Sequence, residues 1–206
     1  MIMYKHAVFV IDNNQADRYI LRELLDSVNL PVKDFATVSE FLKAGPLDLP
    51  ACVVADVRLP AISGLELLER LSREASHIPM ILVTGHPDVN LAVRAMKLKA
   101  EDFLIKPVQE QAFLDAIHRA LHKSERAWQV RQQRLAAERK LASLTDRERT
   151  VLKLLVTGKP VKAIAAELHM SVKTLSIHRT HIQAKLDINN VIDMLRLMEQ
   201  VVDREY

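Results

Sequence analysis

Several polar side chains stand at the ends of short apolar runs. Asp12 and Asn13 follow AVFVI, Asp56 follows ACVVA, Thr84 follows MILV, and Lys106 follows FLI. Two carboxylates, an amide, a hydroxyl and an ammonium, if brought to one rim, could support phosphoryl transfer onto a carboxylate. Asp56 would be the nucleophile, as in aspartyl-phosphate chemistry. Paired acids repel unless a cation lies between them, and hard oxygen ligands with incomplete protein coordination suit Mg2+. Lys106 would pair with the phosphoryl group and the Thr84 hydroxyl would hydrogen-bond it. Pro107 follows Lys106, and an X-Pro bond is where a cis peptide costs little and could aim the ammonium. Taken singly, each residue has a plainer reading as a turn, a helix cap or a solvated strand end. Only their convergence makes a site.

Convergence requires a particular scaffold. Apolar runs at Ala7–Ile11, Val32–Phe35, Ala51–Ala55, Met80–Val83 and Phe103–Ile105 alternate with segments of helical period. Ile20, Leu21, Leu24, Leu25 and Val28 mark one such segment, and Leu65, Leu67, Leu68 and Leu71 another. Ala92, Val93 and Met96 mark a third, and Phe113, Leu114, Ile117 and Leu121 a fourth. Repeated strand–helix alternation predicts a doubly wound α/β fold whose parallel five-stranded sheet is covered on both faces. Ligands in such sheets bind outside the carboxyl ends of the strands, where the polar residues fall.

The 206 residues hold eight prolines and four glycines, of which seven and three precede residue 123. A loop-rich half is thus followed by one made almost wholly of helix formers. Charge divides at the same place. Residues 1–122 carry 13 Lys/Arg against 16 Asp/Glu, residues 123–143 carry 6 against 2, and residues 144–206 carry 10 against 8. The positive excess behind residue 122 points to a polyanion partner for that part. No apolar run is long enough to span a bilayer. The N-terminus is a poor signal peptide, and the single cysteine, Cys52, lies inside an apolar run without a partner. The expectation is a cytoplasmic protein with no membrane association.

The segments around Asp12-Asn13, VVADVRLPAISG, ILVTGHPDV and RAMKLKAEDFLIKP resemble the receiver domain of two-component response regulators, of the FixJ type. The resemblance covers roughly residues 4–122. It implies a flavodoxin-like (βα)5 domain phosphorylated on Asp56 by a sensor histidine kinase. It also implies Mg2+ held by Asp12, Asn13, Asp56 and the backbone carbonyl of Arg58. Thr84 and Phe103 match the family's switch pair, with Phe103 turning inward as Thr84 moves toward the phosphate, and Lys106 matches the phosphate-pairing lysine. Receivers usually carry two adjacent acids after the first strand. Asn13 keeps a carbonyl ligand but lacks the charge, so weaker metal binding and slower or less stable phosphorylation are expected.

Residues 110–142 contain neither Gly nor Pro, which predicts that the last receiver helix continues into a helical linker over 123–143. Leu114, Leu121, Trp128, Leu135 and Ala142 are spaced by seven, but Ser124, Arg131 and Glu138 are polar. The pattern favours a solvated spacer over a coiled coil. Beyond it, Thr145 to Glu148 form a Thr-x-x-Glu capping box, Gly158 ends that helix, and Val161, Ile164, Ala165 and Leu168 mark a short second one. Ser171 can cap a third helix running to about Leu186. A turn of three or four residues between two helices is the helix-turn-helix plan of a small all-α domain. On the third helix Leu175, Ile182 and Leu186 should face inward, while Lys173, Thr174, Ile177, Thr180, His181 and Lys185 project outward.

Residues 144–200 are similar to the LuxR-type DNA-binding domain of the NarL/FixJ family, through LTDRER, KAIAAEL and the S-x-x-T-L-S-x-H-R stretch with its following K-L. The resemblance implies that the outward residues, with Ser176 and His178, contact double-stranded DNA. Ser176 stands where a lysine is common, which should weaken phosphate attraction. Val191–Val202 forms a last helix whose apolar face fits either a dimer contact or the core. Together the segments imply a transcription factor with domains at 1–122 and 144–206. Phosphorylation would promote homodimerisation and operator binding; RNA polymerase is left open as a further partner. Three rivals stand beside this reading. One is an atypical receiver controlled without phosphorylation because of Asn13. Another is an aspartate-nucleophile phosphatase, disfavoured by Arg58 two residues after Asp56. The third is an RNA-binding antiterminator, which would need a different C-terminal domain.

Overall fold

Five short strands, β1 (Ala7–Ile11), β2 (Val32–Phe35), β3 (Ala51–Asp56), β4 (Met80–Thr84) and β5 (Asp102–Ile105), pair in parallel in the order β2-β1-β3-β4-β5. The computed structural model describes residues 6–44, 49–73 and 78–201, which form two compact units divided between Gln129 and Val130. Central strands β3 and β4 are buried at every position, as expected of apolar runs covered on both faces. Each runs one residue beyond its apolar stretch, so Asp56 and Thr84 belong to the strands themselves.

Helices α1 (Gln15–Ser27), α2 (Val38–Lys43), α3 (Gly64–Arg73), α4 (Val89–Lys97) and α5 (Glu110–Ala142) supply the covering layers. One core packs Phe9, Phe35 and Phe41 with residues of β3, α3 and β4, and its ring centroids lie 5.6–6.3 Å apart. The other joins Val8, Val10, Leu21 and Leu25 to Phe113, Ile117 and Leu121 of α5. Cys52 is buried in this second core, and burial pushes its thiol pKa up, away from reactivity. Helix α2 escapes sequence reading because six residues show too little periodicity. On α4 the residue at the core is Ala95, while Val93 and Met96 of the sequence-predicted stripe face outward.

Helix α5 is continuous over 33 residues. The expected linker, residues 123–143, falls within this helix apart from its last residue. Ser124 is fully buried, and its hydroxyl accepts the Ala51 N–H at 2.9 Å, so this polar position serves the edge of the first unit. Ala137 and Leu141 pack with the second unit's core, and the Lys140 ammonium donates to the Leu186 carbonyl at 2.9 Å.

The second unit adds α6 (Asp146–Leu155), α7 (Val161–Glu167), α8 (Val172–Leu186) and α9 (Val191–Glu199). The Thr145–Glu148 capping box is formed on α6. Gly158, at φ 73°, takes the left-handed conformation that ends the segment cheaply. Ser171 accepts the Thr174 N–H as the N-cap of α8. Val202, the expected end of the last helix, lies outside the described residues. No helix among the described residues is long and apolar enough to cross a membrane.

Candidate functional site

Strand order reverses between β1 and β3, so their carboxyl ends flank the crevice where open parallel sheets take ligands. Asp12 leaves β1 there and Asp56 ends β3. The Lys106 ammonium lies 2.5 Å from Asp12 Oδ2, 2.5 Å from Asp56 Oδ2 and 2.9 Å from Asp17 Oδ2. Both strand-end acids use their second oxygen on backbone. Asn14 N–H donates to Asp12 Oδ1 at 2.9 Å, and Arg58 N–H donates to Asp56 Oδ1 at 2.7 Å. From α1, Arg18 donates to the Asp12 carbonyl at 2.7 Å while pairing with Asp34 of β2.

Asp12 is fully buried, and burial pushes its carboxyl pKa up against the pull of hydrogen bonds from Lys106 and Asn14. Burial alone would lower Lys106, but its hydrogen bonds to Asp12, Asp56 and Asp17 outweigh that and hold the ammonium above its ordinary value. Lys106 therefore stays charged at the centre of three carboxylates. Its peptide bond to Pro107 is cis.

Thr84, also fully buried, ends β4 beside Ile105; its hydroxyl accepts the His86 N–H at 3.2 Å and its carbonyl accepts the Lys106 N–H at 2.9 Å. It shares the rim with the acids but its hydroxyl is engaged locally. Phe103 is half-buried against the Phe9 core. Asn13 is exposed at the rim, and Asn14 caps α1. Gly64 opens α3 against β3. A Cβ there would sit 2.3 Å from the Asp56 carbonyl oxygen, so only glycine permits this approach behind Asp56.

Among the described residues no three His, Cys, Asp or Glu side chains are arranged to hold a metal ion. Asp12 and Asp56 nevertheless converge on one cation position, now taken by an ammonium. One or two carboxylates completed by other oxygens and water is the donor set Mg2+ uses in phosphoryl-transfer sites, so the residues fit that ion.

In the second unit, Lys173, Thr174, Ser176, Ile177, Thr180 and His181 are exposed on α8, while Leu175, Ile182 and Leu186 are buried. The face carries a cation, hydroxyls and an apolar contact, Ile177. The hydroxyls of Ser176 and Thr180 donate to carbonyls one turn back, leaving their lone pairs outward. His178 is half-buried at the edge of this face. Lys185 is exposed as well, and its ammonium is also paired, lying 2.7 Å from the buried Glu148 carboxylate. That hydrogen bond, with those from Thr145, pulls the Glu148 pKa down to about 2.

Comparison with known families matches residues 8–118 to the response regulator receiver domain and residues 142–198 to the bacterial regulatory proteins of the luxR family. The transcriptional regulatory protein FixJ of Azorhizobium caulinodans is 40% identical over 191 residues, covering 92% of this chain and 90% of the relative. The chain is a response regulator of the FixJ type. Nodulation protein W of Bradyrhizobium diazoefficiens is 39% identical, with 95% and 86% covered. The solved structure of the response regulator StyR superposes with a TM-score of 0.86 at 38% identity, covering 96% of this regulator and all of that chain. A regulator of this family carries a receiver and a LuxR-type DNA-binding domain and controls transcription.

Two features of the site went unread in the sequence. Asp17 sits in the first turn of α1, where an acid is ordinarily explained by the helix dipole. Only the closeness of α1 to Lys106 reveals its second partner. The Glu148–Lys185 tie joins residues 37 apart, and no local pattern announces it.

Proposed function

We propose that a sensor histidine kinase phosphorylates this regulator on Asp56, and that the phosphorylated form dimerises and binds its operator through α8. The observation that carries the reading is the Lys106 ammonium held at 2.5 Å by both Asp12 and Asp56. An Asp56 carboxylate oxygen attacks phosphorus, a P–O bond forms, and the P–N bond of the donor phosphohistidine breaks with its electron pair leaving on the imidazole. Asp12, Asp56 and the Arg58 carbonyl, with Asn13 at the rim, would hold Mg2+, which supplies charge neutralisation for the transferring oxygens. Lys106 pairs with the arriving phosphoryl group, and Thr84 and Phe103 relay its presence toward α4 and β5. Exposed Val89, Val93, Met96 and Ile105 support that face as the dimer contact. Two α8 helices then read half-sites one helical turn apart, about 34 Å.

Incubation with a small phosphodonor and Mg2+ tests the proposal. The expected result is one phosphoryl group per chain on Asp56, none on Asp56→Ala, and operator binding tightened only in the wild type. Equal operator binding by both proteins, with and without donor, would instead favour control without phosphorylation. The exposed, neutral Asn13 is the feature that keeps this second reading in play.

A further inference from the structure

Asp12, Asp56 and Lys106 together carry one net negative charge, which a divalent ion would overcompensate. Asp17, 2.9 Å from the same ammonium, brings the group to two negatives, equal and opposite to that ion. Asp17 also gives Lys106 a partner that is not one of the two strand-end acids. When those carboxylates turn toward a metal, the ammonium keeps a counter-charge instead of being left to oppose the incoming cation. Asn13, beside Asp12, is neutral and contributes no charge.

We infer that Asp17 is a positioning residue for the divalent cation of this site: it balances the charge that Asn13 leaves short and holds Lys106 beside the metal position. The inference rests on the proposed phosphoacceptor reading and adds a residue to it. It also alters the expectation drawn from Asn13 alone, because the deficit is made up one helical turn into α1. The Asp17 side chain is 30% exposed, so solvent screens part of its field and the effect is several-fold, not many orders of magnitude.

Mn2+ titration of the full chain, read from the electron paramagnetic resonance of the free ion, provides the test. Asp17→Asn should weaken Mn2+ binding by about 3- to 10-fold with an unchanged circular dichroism spectrum. The double variant Asp17→Asn/Asn13→Asp should recover most of that loss, because it returns the charge to the rim without touching α1. Asn13→Asp alone is the reference: Asp17→Asn should cost less affinity in that background than in the wild type, whereas a merely structural role for Asp17 would cost the same in both. Equal affinity of wild type and Asp17→Asn overturns the inference, as does a loss that Asn13→Asp fails to recover. Should the wild type take up neither Mn2+ nor a phosphoryl group on Asp56, the underlying reading falls and the inference with it.

Discussion

Lys106 in the receiver unit and Lys185 in the DNA-binding unit each hold a buried carboxylate, and the two pairs have different surroundings. Glu148 meets Lys185 at 2.7 Å and accepts the Thr145 N–H at 2.8 Å and the Thr145 hydroxyl at 3.0 Å. One acid faces one cation, and the same carboxylate oxygen, Oε2, takes the ammonium and both Thr145 donors. Lys106 instead faces three carboxylates and leaves an excess of negative charge. The first arrangement is closed and ties α8 to the start of α6. The second leaves negative charge that only a further cation would offset. Burial and a displaced pKa are common to both, so neither marks function; the unbalanced charge does.

Removing the lysine from each pair should break this comparison most visibly. Lys106→Met strands three carboxylates, the fully buried Asp12 among them, and should lower receiver stability by about 3 kcal/mol in chelator. Millimolar Mg2+ should restore part of it, as read by urea unfolding. Lys185→Met leaves Glu148 its Thr145 partners and should respond less, with no Mg2+ effect. Next in size is Gly64→Ala, whose Cβ would collide with the Asp56 carbonyl. The loop must shift, at a cost of about 1–3 kcal/mol, and phosphorylation of Asp56 should slow. A Gly64→Ala protein with wild-type stability and phosphorylation rate would show that the approach of α3 to β3 is dispensable.

The scaffold was legible because its signals are local. All five strands follow apolar runs, and the termini of α6 and α8 follow the side chains of Thr145 and Ser171 that cap them. Asp12, Asp56 and Lys106 were legible as a group because a parallel sheet puts every strand end on one rim. What stayed hidden depends on which helix lies against which strand. Asp17 reaches Lys106 across 89 residues of sequence, and the outward turn of Val93 and Met96 is set by α4 docking through Ala95. Ser124 interrupts the heptad spacing for a reason outside the helix, since its hydroxyl accepts the Ala51 N–H.

Acid should separate the two units in a second way. The Glu148 pKa is about 2 in the folded chain against an ordinary 4.5. Because the folded value is the lower one, the tie stabilises fully above about 4.5 and is lost as pH falls toward 2. Thermal unfolding of the DNA-binding unit should therefore show a stability decline through that window, and Glu148→Gln should flatten it. An unchanged slope in the variant would place the acid sensitivity elsewhere.

The smallest expected effect sharpens the comparison at the DNA face. Lys173 and Lys185 lie on the same helix and both are exposed, yet among the described residues only Lys185 has an ion-pair partner. A lysine already neutralised by a protein carboxylate neutralises DNA phosphate less, so fewer of the cations condensed on the DNA are released on binding. Lys173→Gln should reduce the magnitude of the slope of log K against log salt by about one for operator and random DNA alike. Lys185→Gln should change that slope by clearly less while lowering the stability of the unit that carries α8. Equal slope changes would mean that Lys185 exchanges Glu148 for phosphate when DNA arrives. The Glu148 carboxylate would then be released at the moment of binding, and affinity for random DNA would rise as pH falls from about 4.5 toward the folded Glu148 value of about 2.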